Sequence, residues 1–194
     1  MENWRVFCAI EFPRKVVDPA LERIRVLRER FPQVAAGWIR DGNFHLTVKF
    51  IGEVPRANVE KLSAAAERAT TNLSSFNLVV ASAGSFPKNG PPKVLWLGVK
   101  DQSGKLQVLH QRLEETCAVE GFEKDERAFH PHLTIARIRK IGGARELAAA
   151  HRELGFEAVE VLISELLVIR SELSSAGSKY TVISRHDLRS ESKH

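Results

Sequence analysis

Two short segments carry the residue types that move protons: His45-Leu46-Thr47-Val48 and His132-Leu133-Thr134-Ile135. Seven histidines and six threonines in 194 residues give about 0.2 His-x-Thr triplets by chance on a rough count. Two occur, each with apolar flanks. A strand alternates its side chains between faces. In the first segment that puts His45, Thr47 and Lys49 on one face, with Phe44, Leu46, Val48 and Phe50 opposite. In the second it puts His132, Thr134 and Ala136 together, opposite Leu133 and Ile135. The apolar faces belong to a core, so both His/Thr faces point into solvent or a cleft.

Histidine is the side chain best matched to proton transfer near neutral pH. Cleaving a phosphodiester with water needs one group to take a proton and another to give one. Two histidines on opposite walls of a cleft divide that work, and two threonine hydroxyls can hold the phosphate oxygens. No Asp/Glu cluster accompanies either motif, so the expected reaction is free of metal and cofactor. A lone strand histidine is usually a solvated or packed one, and the matched pair argues against that. A minor alternative is zinc held by His45, His130 and His132. Pro131 and the lack of supporting carboxylates weigh against it.

The two strands must be positioned by something, and the flanking pattern says what. A strand is expected at Arg5–Glu11, then a helix from Asp18 with Pro19 at its first position. A strand follows at Phe44–Ile51, a helix at Pro55–Thr71, and strands at Phe76–Ala81 and Val94–Lys100. The Gly/Pro-dense run Gly84–Lys93 between those strands reads as a loop. The second half echoes the first. It gives a helix at Ser103–Val119, a strand at His132–Ile138, a helix at Ala144–Leu154, and strands at Glu157–Ile163, Leu166–Glu172 and Tyr180–Leu188. The motif histidines stand 87 positions apart. The reading is one bilobal α+β domain over 1–188, with a frayed tail over 189–194. Its two pseudo-symmetric lobes of antiparallel sheet carry helices outside and share a central cleft.

Bulk properties agree with such a domain. The chain is 43% hydrophobic and 27% charged, with net charge +5, a mild bias toward polyanionic partners. No apolar run approaches the roughly 20 residues of a membrane helix. The N-terminal segment reads as a strand and not a signal peptide. Cys8 and Cys117 are expected to be buried free thiols in a cytoplasmic, monomeric protein.

At His45-Leu46-Thr47-Val48 and at His130-Pro131-His132-Leu133-Thr134-Ile135-Ala136-Arg137 the sequence resembles the two-histidine phosphoesterase superfamily. Within it, the chain is similar to the bacterial and archaeal RNA 2′,3′-cyclic phosphodiesterases, also called 2′-5′ RNA ligases. Arg5–Pro13, Lys93–Val99 and Ser171–Tyr180 resemble the family's first, middle and closing segments. The resemblance implies opening of a terminal 2′,3′-cyclic phosphate on RNA to a 2′-phosphate, with possible reversal as 2′-5′ ligation. It implies that His45 is the general acid, His132 the general base, and Thr47 and Thr134 the phosphate holders. It also implies phosphate binding by Arg137, although strict alternation puts that residue on the Leu133/Ile135 face. Phe12, at the end of the first strand, is a candidate for stacking on a base, with a core aromatic as the other reading. His130 is assigned to loop positioning, and His110, His151, His186 and His194 are given no role. Trp38 and Trp96 read as packing residues, Trp38 in a loop near His45. Competing functions are a phosphodiesterase on a small nucleotide (ADP-ribose cyclic phosphate or 2′-5′ oligoadenylate) and a non-catalytic RNA-end-binding module.

Overall fold

A computed structural model describes residues 2–174 and 177–189. The tail expectation for 189–194 therefore lies outside the described residues except at Arg189, as does His194. Among the described residues nine strands fall into two antiparallel sheets. In chain order they are β1 (Asn3–Glu11), β2 (Ala36–Trp38), β3 (His45–Pro55), β4 (Phe76–Phe86), β5 (Val94–Lys100), β6 (His132–Ile138), β7 (Val159–Ile163), β8 (Glu165–Ser174) and β9 (Gly177–Asp187). The helices are α1 (Arg14–Arg30), α2 (Val59–Thr70), α3 (Lys105–Val119) and α4 (Ala144–Glu153). One sheet runs β3-β1-β8-β9 and the other β2-β6-β5-β4-β7.

The lobes are not the two halves of the sequence. The first sheet is built from both ends of the chain, and its helices, α2 and α3, come from the middle. The second sheet takes the middle strands together with α4, against which α1 packs. Each His-x-Thr strand thus sits in a different sheet, as expected, but the chain crosses between lobes. Buried Leu62, Ala65 and Ala66 of α2 and Leu106, Leu109 and Leu113 of α3 recur at helical spacing on inward faces. They join one main core with Leu46, Val48, Leu133 and Ile135 of the motif strands. A smaller cluster of Phe7, Ala9, Leu167 and Ile169 lies on the other face of the first sheet, with Tyr180 and Val182 beside it.

Several boundaries differ from the sequence reading. α1 begins at Arg14, so Pro19 lies inside it and Asp18 is not its cap. Buried Val16 and Val17 commit the earlier turn to helix, and their amides donate to the Pro13 carbonyl. β4 runs on to Phe86 through Gly84, where the Gly/Pro-dense pattern predicts a loop. A Cβ on Gly84 would stand 2.3 Å from the Trp96 indole, so this glycine serves a close approach inside the sheet. The three-residue strand β2 is too short for alternation to betray, and Trp38 lies in it, paired opposite Ala136. Cys8 and Cys117 are both buried and unpaired.

Candidate functional site

The two motif strands carry the same irregularity. Along β3, Ala9 pairs with Thr47 and the next residue back, Cys8, with Lys49, leaving Val48 as an extra residue. Along β6, Trp96 pairs with Thr134 and Leu95 with Ala136, leaving Ile135 extra. Each is a β-bulge directly after the threonine, and each resets the alternation. Val48 and Lys49 both turn inward, as do Ile135 and Ala136. Strict alternation had put Lys49 and Ala136 on the His/Thr faces, and the bulges correct that. The same shift returns Arg137 to the face of His132 and Thr134, where its side chain is exposed, and leaves Phe50 exposed at the matching position of β3.

Both histidines are held alike. His45 Nδ1 lies 3.0 Å from the Asn43 carbonyl, and His132 Nδ1 lies 2.7 Å from the His130 carbonyl. A carbonyl only accepts, so Nδ1 is the donor in each case and the tautomer is set. Nε2 is then the ring nitrogen available to a substrate. Asn43 is itself fixed, its side-chain amide donating to the Ser178 carbonyl. The His45 ring stacks at a tilt on Phe7 with centroids 4.8 Å apart, and meets the edge of Tyr180 at 5.0 Å. His132 meets Phe86 edge-on at 5.2 Å. One aromatic wall per histidine limits water and restrains the ring.

Burial is also the main cause of the electrostatics. It pushes the His45 pKa down to about 4, against a weaker upward pull from the Asn43 carbonyl; the Arg137 and His132 charges push it down further. Burial lowers His132 as well, with Arg137 again adding to the fall. Arg137 acts on both histidines, which brings the two motifs and this arginine into one electrostatic neighbourhood. Thr47 and Thr134 are half-buried, and among the described residues their hydroxyls make no hydrogen bond within the protein. The two motif strands touch, so the histidines, threonines and Arg137 gather in one candidate site. Phe12 is not part of it: only 8% exposed, it packs in the main core. Among the described residues no three His, Cys, Asp or Glu side chains group as a metal site, so the three-histidine zinc alternative finds no donor set there.

Three supporting contacts had no signal in the sequence pattern. His110 of α3 donates from Nδ1 to the Val48 carbonyl at the β3 bulge, 2.9 Å away, and stacks on Phe129 at 4.2 Å. Lys49, turned inward, places Nζ 2.7 Å from Glu114 and 3.0 Å from the Glu123 carbonyl. That buried pair fastens the loop leading to His130. On the other lobe, Arg23 Nη1 donates to His151 Nδ1 at 3.0 Å, so His151 carries its proton on Nε2 and donates to the Trp96 carbonyl, also at 3.0 Å. Trp96 pairs with Thr134, so this chain supports the strand behind the second motif. A histidine on a helix face reads as surface until the strand it reaches is known.

Comparison with known proteins gives a consistent picture. A family model described as the 2′-5′ RNA ligase superfamily matches residues 13–174. A Thermotoga maritima protein named RNA 2′,3′-cyclic phosphodiesterase is 30% identical, the match covering 92% of this chain and 92% of that protein. An Aeropyrum pernix protein of the same name is 33% identical over 75% of this chain and 82% of its own. Among solved structures, Escherichia coli LigT complexed with 3′-AMP superposes with a TM-score of 0.72 at 26% identity, covering 96% of this chain and 99% of that one.

Proposed function

The chain belongs to the 2′-5′ RNA ligase superfamily, and we propose that it hydrolyses terminal 2′,3′-cyclic phosphates on RNA to 2′-phosphates without a metal. The observation that carries this reading is the matched pair of histidines, each locked through Nδ1 to a backbone carbonyl with Nε2 left to act. Curated relatives over most of the chain bear the name of that activity.

The residues divide the reaction as follows. The phosphodiester anion settles between the two motifs, its free oxygens on the Thr47 and Thr134 hydroxyls and on Arg137. Water attacks phosphorus and loses a proton to His132 Nε2. The bond from phosphorus to O3′ breaks, and O3′ takes the proton of His45 Nε2. The product keeps its phosphate on O2′, and solvent exchange returns each histidine to its starting state. Ligation to a 2′-5′ bond is the reverse, with a ribose hydroxyl in place of water. In the empty site burial leaves His45 neutral near pH 7. The arriving phosphate supplies the negative charge that lets it hold a proton. The assignment of acid to His45 and base to His132 rests on the family resemblance, since the two ring environments are built alike. Two buried, unpaired thiols support a reducing, cytoplasmic setting. No helix among the described residues is long and apolar enough to cross a membrane.

The test uses EDTA-treated protein and 2′,3′-cyclic AMP, with identification of the product isomer. A 2′-phosphate is expected. A 3′-phosphate would sink the mechanism, and activity that vanishes with EDTA would favour a metal hydrolase. His45→Ala and His132→Ala should each lower kcat by about 100- to 10,000-fold, the range of a general acid or base. Near-normal turnover in either variant removes that residue from its role.

A further inference from the structure

A groove of about 1050 Å³ lies apart from the catalytic pair. It runs between α1 and β2 and is closed by the segment through Arg40 and by Gly177 at the start of β9. Four exposed arginines line it: Arg25, which is paired with Glu22 and Glu29, and three others, Arg28 on α1, Arg40 after β2 and Arg139 after β6. Among the described residues none of these other three forms an ion pair. The groove also holds two carboxylates, but both are already answered. Glu29 lies 2.7 Å from Arg25, and Asp41 lies 2.6 Å from Arg14. Trp38 and Phe31, both half-buried, supply aromatic surface beside the arginines. The unanswered charge is therefore positive and sits next to rings, the pairing that tracks a single nucleic-acid strand.

The groove is also continuous with the site. Beyond its bulge β6 presents Arg137 on the face of His132 and Thr134, and Arg139 follows two residues on. Arg139 keeps to the β2 edge, its amide donating to the Ala35 carbonyl at 2.8 Å, and its guanidinium lies against Gly37. On the other wall, Gly177 stands beside Arg40, while Ser178 holds Asn43 and, through it, His45. Both walls thus lead from the groove to a motif histidine.

We propose that this groove binds the RNA strand on the 5′ side of the reacting end, with backbone phosphates on Arg28, Arg40 and Arg139 and a base against Trp38. The inference rests on the phosphodiesterase reading and names its substrate as a strand of several nucleotides. A lone nucleotide would reach the histidines and leave the groove empty.

The test compares wild type with the triple variant Arg28→Gln, Arg40→Gln, Arg139→Gln, all three positions being exposed. One arm measures hydrolysis of 2′,3′-cyclic AMP, and of an oligoadenylate of about ten nucleotides ending in a cyclic phosphate. The other measures binding of a labelled oligoadenylate with a plain 3′-phosphate, across a range of salt. Wild type should show a lower KM for the oligomer than for the mononucleotide. The variant should bind the oligomer about tenfold or more weakly, with a log–log salt slope shallower by about two, as loss of three single-strand phosphate contacts requires. Its rate on 2′,3′-cyclic AMP should stay within about twofold. Equal oligomer binding and equal salt slopes in the two proteins would overturn the proposal, as would a strand-length effect that survives in the variant. Loss of the catalytic reading would appear differently, as no turnover of either substrate by wild type, while the binding arm still reports on the groove.

Discussion

His151 offers a quantitative test of how the second lobe is braced. It is fully buried and accepts from Arg23, so protonation would set two cations against each other. Burial first, with the Arg23 charge also contributing, pulls its pKa to about 4 in the folded protein. The ordinary value of about 6.5 returns on unfolding. The unfolded chain then binds a proton that the folded one refuses, between those two values. The stabilisation is present above pH 6.5 and is lost as the pH falls toward 4. Taking pH 7.5 and pH 4.5 as end points, the linked loss is roughly 2 to 3 kcal/mol. The variant His151→Gln removes the titrating ring and keeps a donor for the Trp96 carbonyl. Depriving Arg23 of its ring acceptor should make it less stable at pH 7.5, by about 1 to 3 kcal/mol, a deficit that closes as the pH falls toward 4.5. The informative quantity is the change between the two pH values, read by urea unfolding. Wild type should lose roughly 2 to 3 kcal/mol more than the variant over that interval. His45 and His132 are depressed in both proteins and cancel in the comparison. Equal losses would mean that His151 titrates normally and that the buried neutral chain from Arg23 to Trp96 is wrong.

Other outcomes follow from the same structure. Because both motif histidines are pushed down in the empty site, the bell of kcat/KM should peak below pH 6.5. The bell of kcat should lie higher, since bound phosphate raises both values; coincident profiles peaking above pH 7 would contradict this. Lys49→Met leaves Glu114 buried without its cation and should cost about 3 to 5 kcal/mol by urea unfolding. Adding Glu114→Leu should recover most of that loss, and a single variant within 1 kcal/mol of wild type, roughly, would show that the pair is not buried as described.

The chemistry of this protein was legible in its residue order because the motifs are local. A strand's period of two and four apolar neighbours are enough to say that His45 and Thr47 face away from a core, and the same holds at His132 and Thr134. That the pattern occurs twice, one half-chain apart, announces two walls. Element existence also followed from local pattern: β5 and β6 have the expected bounds, and α2, α3 and α4 differ only by a few residues at their ends. What the local pattern could not reveal depends on partners distant in the chain. The bulges after Thr47 and Thr134 exist only as mismatches of register against β1 and β5, so alternation alone sent Lys49 and Ala136 to the wrong face and Arg137 away from the site. The lobes likewise follow strand pairing and not chain order. His110 and His151 look idle until the carbonyls they reach come from other elements. Residue types and a period of two determined which groups could react. Long-range pairing alone decided which of them face one another, because hydrogen-bond register across strands is a property of two segments and is written in neither.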